Sequence, residues 1–327
     1  MTNNNHKPHT PVLGARDRAL LRDLIDSRVM TLPQITALHF DGKHAYTKKR
    51  VLQLKHARYL NERVPRNHGR FHPSLLSLSR RGFEAFANDD PLVDDGAWHE
   101  LNGRLEKIAE STLQHELDVV DMKVAFVNAM RSMPSLQFEE FSTYPKRFEF
   151  LTEHIELGRP QVLKPDGYAR MRHVNGREET LYFEWDRSSE PQRRLGIKAW
   201  GYKAWADSGA FALWNGGTVA EREQFSFRCV FILPTAERLH NTAEHLLRLT
   251  HPQSGARLRN EIWLTTHPDF LAQPLGSIFV TLGAYKRAVS GTPFDPGVHT
   301  TTMRALARDR LVAERIEKSQ LFGGVYE

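Results

Sequence analysis

Apolar residues recur at helical spacing three times between Arg16 and Arg58 and then give way to alternation, an order of periods that limits this stretch to three helices followed by a β-ribbon. Ala19, Leu20, Leu24 and Ile25 share one face of a helix predicted over 16–28. A second helix, 32–40, carries Pro33 in its first turn, where an N–H has no intrahelical partner to lose, and Asp41 and Gly42 end it. The third, 46–58, turns Val51, Leu54 and Ala57 inward and presents a basic outer side. Strands at 59–65 and 73–79, joined by a turn at Asn67, His68 and Gly69, complete the ribbon, and another helix starts at Arg80. Three helices and a ribbon in that order predict a winged helix-turn-helix, whose third helix enters the major groove of DNA.

Charge follows the same division. Residues 1–87 hold 16 Lys and Arg against 6 Asp and Glu, a net of +10, which leaves 29 basic and 33 acidic residues, a net of −4, for 88–327. A positive field confined to one module suits double-stranded DNA; the alternatives are a solubilising face or a protein-binding winged helix. Around the third helix Lys49, Gln53 and His56 lie opposite Val51 and Leu54 and are the candidates for base contact. Lys43, Lys48, Lys55, Arg63, Arg66 and Arg70 are the candidates for phosphate contact.

Asp89, Asp90, Pro91, Asp94, Asp95 and Gly96 mark an acidic linker. The expected organisation is a disordered tail at 1–15, the winged helix at 16–88, the linker at 89–99, an α/β domain at 100–300, and a charged helix and tail at 301–327. Helix is expected over 100–130 with a break near Ser111, and after it strands and helices interleave, which reads as an α/β core. No window approaches the roughly 18 uninterrupted apolar residues that a membrane span needs. The N-terminal stretch lacks the apolar region of a secretory signal and Cys229 has no cysteine to pair with, so the expected compartment is the cytoplasm. Phosphate-cradling GxxxxGK[ST], the GxSxG elbow and zinc-ligand spacings are all missing from the sequence, and the 16 His are scattered.

One constellation carries chemistry. In the predicted strand 179–186, Leu181, Phe183 and Trp185 face one way and Tyr182, Glu184 and Asp186 the other. A turn at Asn175 and Gly176 leads back to a neighbouring strand that starts with Lys164, Pro165, Asp166 and Gly167, so Asp166 is expected beside Glu184. Carboxylates converging at a sheet edge repel one another unless a hard cation neutralises them, and oxygen ligands suit Mg²⁺ or Mn²⁺. The same residues also read as ordinary turn chemistry followed by acids on a solvated strand face.

Pro165-Asp166, the hairpin, and Glu184-Trp185-Asp186 resemble the PD-(D/E)XK nuclease superfamily. More narrowly, the chain looks like the replication-relaxation family of plasmid and integrative-element proteins over about residues 16–290. His115, Leu117, Val120, Lys164 to Gly167, Phe183 to Arg187, Lys198 and Tyr202 carry that resemblance, with Tyr59-Leu60, His72-Pro73-Ser74 and Arg81-Gly82 in the first part. It implies a restriction-endonuclease-like core with a mixed central sheet behind the winged helix, in an α/β (α+β) chain. It also implies DNA nicking or cleavage with Asp166 and Glu184 on the metal, Asp186 assisting, and Lys198 steadying the attacking water or the developing charge.

The superfamily pattern places lysine two residues after the glutamate, where this chain has Asp186. Lys198 on the following helix either replaces it or is a structural lysine with a buried stem, because that helix is apolar on two sides. The competing expectation is therefore a non-catalytic regulator of replication, transfer or transcription with a degenerate nuclease fold. Glu116 is a further carboxylate candidate, and His115 reads as a core histidine. Replication or conjugation proteins and a second copy of the chain are the further expected partners.

Overall fold

The computed structural model describes residues 11–63, 73–87, 95–106, 110–188, 190–250, 255–258 and 261–290. The chain divides into two compact units, one of residues 1–128 with 142–144, the other of 129–141 with 145–327.

The first unit runs α1 (Ala15–Ser27), β1 (Val29–Thr31), α2 (Leu32–His39), α3 (His44–His56), β2 (Leu60–Arg63), β3 (Leu75–Leu78), α4 (Arg80–Ala87), α5 (Asp95–Glu106) and α6 (Glu110–Met130). Thr31 caps α2, its hydroxyl accepting from the Gln34 N–H while the Gln34 side chain accepts from the Thr31 N–H, and Pro33 fills the first turn as expected. The predicted ribbon is present as β2 and β3, antiparallel with Leu60 opposite Leu78, and its turn at 67–69 lies outside the described residues. β3 also pairs with β1, giving a three-stranded sheet of order β1-β3-β2 that the sequence reading missed. Of the acidic stretch read as a linker, residues 88–94 lie outside the described residues, and α5 starts at Asp95. α6, read from sequence as a core helix of the α/β domain, packs instead with Val29 and Leu75 through Leu113 and Leu117.

Buried charge ties α6 down. The Lys123 ammonium is 2.9 Å from an Asp23 oxygen and 3.7 Å from an Asp26 oxygen, both on α1, and His39 at the end of α2 reaches the other Asp23 oxygen at 2.9 Å. Burial opposes ionisation of Asp23, but Lys123 and His39 outweigh it and hold the carboxyl well below its usual range.

The second unit contains β4 (Leu136–Ser142), β5 (Phe150–His154), β6 (Arg159–Leu163), β7 (Gly167–His173), β8 (Glu178–Trp185), α7 (Gln192–Asp207), α8 (Ala210–Trp214), β9 (Phe227–Leu233), α9 (Ala236–Arg248), β10 (Ile262–Thr266), α10 (His267–Ala272), β11 (Val280–Thr281) and α11 (Leu282–Ser290). Its six-stranded sheet has the order β11-β10-β9-β8-β7-β4. β8, β9 and β10 run parallel, β7 antiparallel to β8 and β11 antiparallel to β10, so the expected mixed central sheet is found. β8 is buried at all but its first residue, as a strand covered on both faces must be.

α7 packs on both the β5–β6 hairpin and α9, which explains its two apolar sides. Glycine makes each approach close: a Cβ on Gly201 would lie 2.6 Å from Leu163 Cδ1, and one on Gly196 2.6 Å from Leu249 Cδ1. Trp205 stacks on Phe150 with ring centroids 3.8 Å apart, and the Thr152 hydroxyl donates to the Gly201 carbonyl at 2.8 Å. Among the described residues no helix is long and apolar enough to cross a membrane. The predicted helix at 301–318 lies outside them.

Candidate functional site

Register delivers Asp166 to the end of β8. Gly167 stands opposite Phe183, the Asp166 N–H donates to the Phe183 carbonyl at 2.9 Å, and Asp166 Oδ2 accepts the Trp185 N–H at 2.7 Å. The carboxylate of Asp166 is thereby fixed against the backbone that carries Glu184. Glu184 itself is 1% exposed. Lys198 Nζ donates to its Oε2 at 2.9 Å and the Tyr202 hydroxyl to its Oε1 at 2.7 Å. Those two donors are one helical turn apart on α7, so a single helix face supplies both.

Electrostatics sharpen the arrangement. Burial raises the Glu184 carboxyl to about 7, with the Asp166 charge adding to the rise and Lys198 opposing it. Burial also works against the charge on Lys198, but Glu184, Asp166 and Glu190 outweigh it and raise the ammonium above the ordinary lysine range. Glu190 Oε2 is 3.3 Å from Lys198 Nζ. Lys198 is therefore a fixed cation beside Glu184, Asp166 and Glu190, suited to donating hydrogen bonds and unsuited to taking protons.

Asp186 is engaged elsewhere. Its Oδ2 accepts from Arg238 Nε at 2.7 Å and its Oδ1 from the Ser188 N–H at 3.1 Å, and Arg238 also donates to the Glu190 carbonyl at 2.5 Å. Arg238 thus clamps both ends of the loop between β8 and α7. Of the four residues expected at this centre, the structure brings Asp166, Glu184 and Lys198 together, while Asp186 anchors a loop. Glu116 lies in the first unit, ion-paired with Arg28. Sequence reasoning did not single out Glu190 or Arg238 for the site, and it placed Tyr202 in a family pattern and on one side of the helix with Lys198 without assigning it to Glu184.

Among the described residues no group of three or more His, Cys, Asp or Glu is arranged to hold a metal ion. Two carboxylates, Asp166 and Glu184, remain close enough for each to feel the other's charge. That donor set fits a hard cation such as Mg²⁺, which commonly takes one or two carboxylates and fills its shell with water and phosphate oxygens. It does not fit a cation that needs a full protein cage.

The second candidate surface is α3. Thr47, Val51 and Leu54 are its buried side, and Lys48, Lys49, Gln53 and His56 are exposed, as are Lys43 just before it and Arg63 on β2. Lys55 is half-buried and ion-paired with Glu62 of β2. Arg50 turns back to Asp17 at 2.9 and 2.6 Å and to the Val12 carbonyl at 2.8 Å, and its remaining nitrogen donates to Gln53 Oε1 at 2.9 Å. Arg66 and Arg70 lie outside the described residues.

A family model described as Replication-relaxation matches residues 21–219, about three fifths of the chain. The match takes in α3 as well as Asp166, Glu184 and Lys198, and ends before Arg238. No curated protein and no solved structure matches the chain.

Proposed function

This chain belongs to the replication-relaxation family, and on that premise we propose that it is a DNA-binding protein of plasmid or mobile-element replication whose second unit is a nuclease-like centre that nicks DNA. The observation that carries the proposal is Lys198. The lysine that a PD-(D/E)XK centre needs is missing from β8, and α7 supplies one 2.9 Å from Glu184.

The first unit reads as a winged helix, with α3 in the major groove and the β2–β3 ribbon beside it. Lys43, Lys48 and Arg63, all exposed, would contact phosphates, and the exposed Lys49, Gln53 and His56 base edges. Lys55 takes part only by exchanging Glu62 for a phosphate. In the second unit Asp166 and Glu184 would hold Mg²⁺ or Mn²⁺, which when bound polarises a phosphate and lowers the pKa of water. Tyr202 and Lys198 fix both oxygens of Glu184, so the carboxylate needs no reorganisation when substrate arrives. The ammonium of Lys198, held protonated by its acidic neighbours, stabilises charge developing on the phosphate oxygens.

Incubation of supercoiled plasmid with the full chain and Mg²⁺ or Mn²⁺ tests this reading. Metal-dependent nicking lost in Asp166→Ala and in Glu184→Ala is the expected result, and nicking that survives both substitutions overturns the site. The pairing of Asp186 with Arg238 favours a second reading, a non-catalytic regulator that kept the fold. Tight DNA binding with no nicking under either metal supports that one.

A further inference from the structure

α3 carries an apolar side chain where a purely electrostatic DNA-binding face has no use for one. At 3.6 residues per turn, Ala45, Lys49, Leu52 and His56 fall on one ridge, and all four are exposed. Leu52 lies about 160° around the helix from Leu54, so it points away from the core that Thr47, Val51 and Leu54 fill. It is 47% exposed. The other large exposed apolar residue of this helix, Tyr46, already packs on Phe40 with ring centroids 5.8 Å apart. Leu52 also lines one side of a groove of about 390 Å³, together with Leu32, Pro33, Val51, Pro73 and Leu76.

A single exposed leucine is unremarkable on most surfaces. Here its neighbours around the helix are Lys48, Lys49, Gln53 and His56, and α3 contains no Asp or Glu. The occupant of such a face is a polyanion, and the apolar feature that duplex DNA offers in its major groove is the thymine 5-methyl group. We propose that Leu52 is a specificity residue that packs against a thymine methyl in the target site, with Ala45 two turns away on the same ridge offering a second, smaller apolar contact. The inference rests on the reading of α3 as the groove-entering helix and adds a base and an atom to it.

The test begins with selection of duplexes from a random-sequence library by the full chain, followed by replacement of each thymine in the selected site by deoxyuridine, which removes only the methyl group. At one position the replacement is expected to weaken wild-type binding about fourfold, the change that one buried methyl carries. Leu52→Ala, whose far-UV circular dichroism should match wild type, is expected to bind the thymine and deoxyuridine sites equally at that position. Wild-type binding that ignores every thymine methyl overturns the inference and leaves the winged-helix reading standing. Methyl discrimination that persists in Leu52→Ala also overturns it, and returns Leu52 to the groove as a contact for another protein. A wild-type chain that enriches no duplex overturns the winged-helix reading itself.

Discussion

Glu184 sits inside a sheet with each oxygen held by a different donor from one helix. Such a carboxylate is expensive to bury and more expensive to leave half-satisfied. Tyr202→Phe removes one donor without changing shape, so urea midpoints should report a loss of about 1–3 kcal/mol. A midpoint equal to wild type would mean that water replaces the hydroxyl. The acids themselves were legible: alternation put Glu184 beside the returning Asp166, and Gly167 opposite Phe183 is the register that does it. The partner of Asp186 was not. Arg238 is 52 residues away on α9, and local pattern carries no information about which loop a distant arginine clamps.

At the scale of elements, the buried charges on α1, α2 and α6 give the most direct prediction. Lys123→Met leaves Asp23 and Asp26 without their shared cation and should cost about 3–5 kcal/mol in urea denaturation. Asp23 has a depressed pKa in the folded chain, so its contribution is complete above its unfolded value near 3.8 and is lost as pH falls below that. Between pH 5 and pH 3 wild type should lose about 1 kcal/mol more than Asp23→Asn; equal losses would contradict the depressed pKa. Element type was readable wherever the hydrophobic period was long, as in α1, α7 and β8. β1 has three residues, too few to alternate, and β6 begins with exposed Arg159 and Pro160, so neither announced itself. An apolar face on α6 said that the helix is buried but not against what. Packing with Val29 and Leu75 places it in the first unit, a fact that its own sequence does not encode locally.

On the scale of the whole molecule, the net +10 is local to residues 1–87, where α3 lies, and is partly offset by the acids of residues 88–128 in the same unit, so the proposed DNA affinity belongs to α3 and the proposed chemistry to the second unit. The central claim is that these reside in different units and are carried by different lysines. It is tested most directly by measuring, on one supercoiled plasmid and in one buffer, both the DNA affinity and the saturated nicking rate of wild type, the double variant Lys48→Ala/Lys49→Ala, and Lys198→Gln. The account predicts that the α3 variant binds at least tenfold more weakly, with a shallower salt dependence, and nicks normally once saturated. Lys198→Gln is expected to bind like wild type and to lose about a hundredfold or more in nicking rate, the scale seen when one charge-stabilising group is removed from such a centre. Metal-dependent nicking at the wild-type rate by Lys198→Gln would contradict the account.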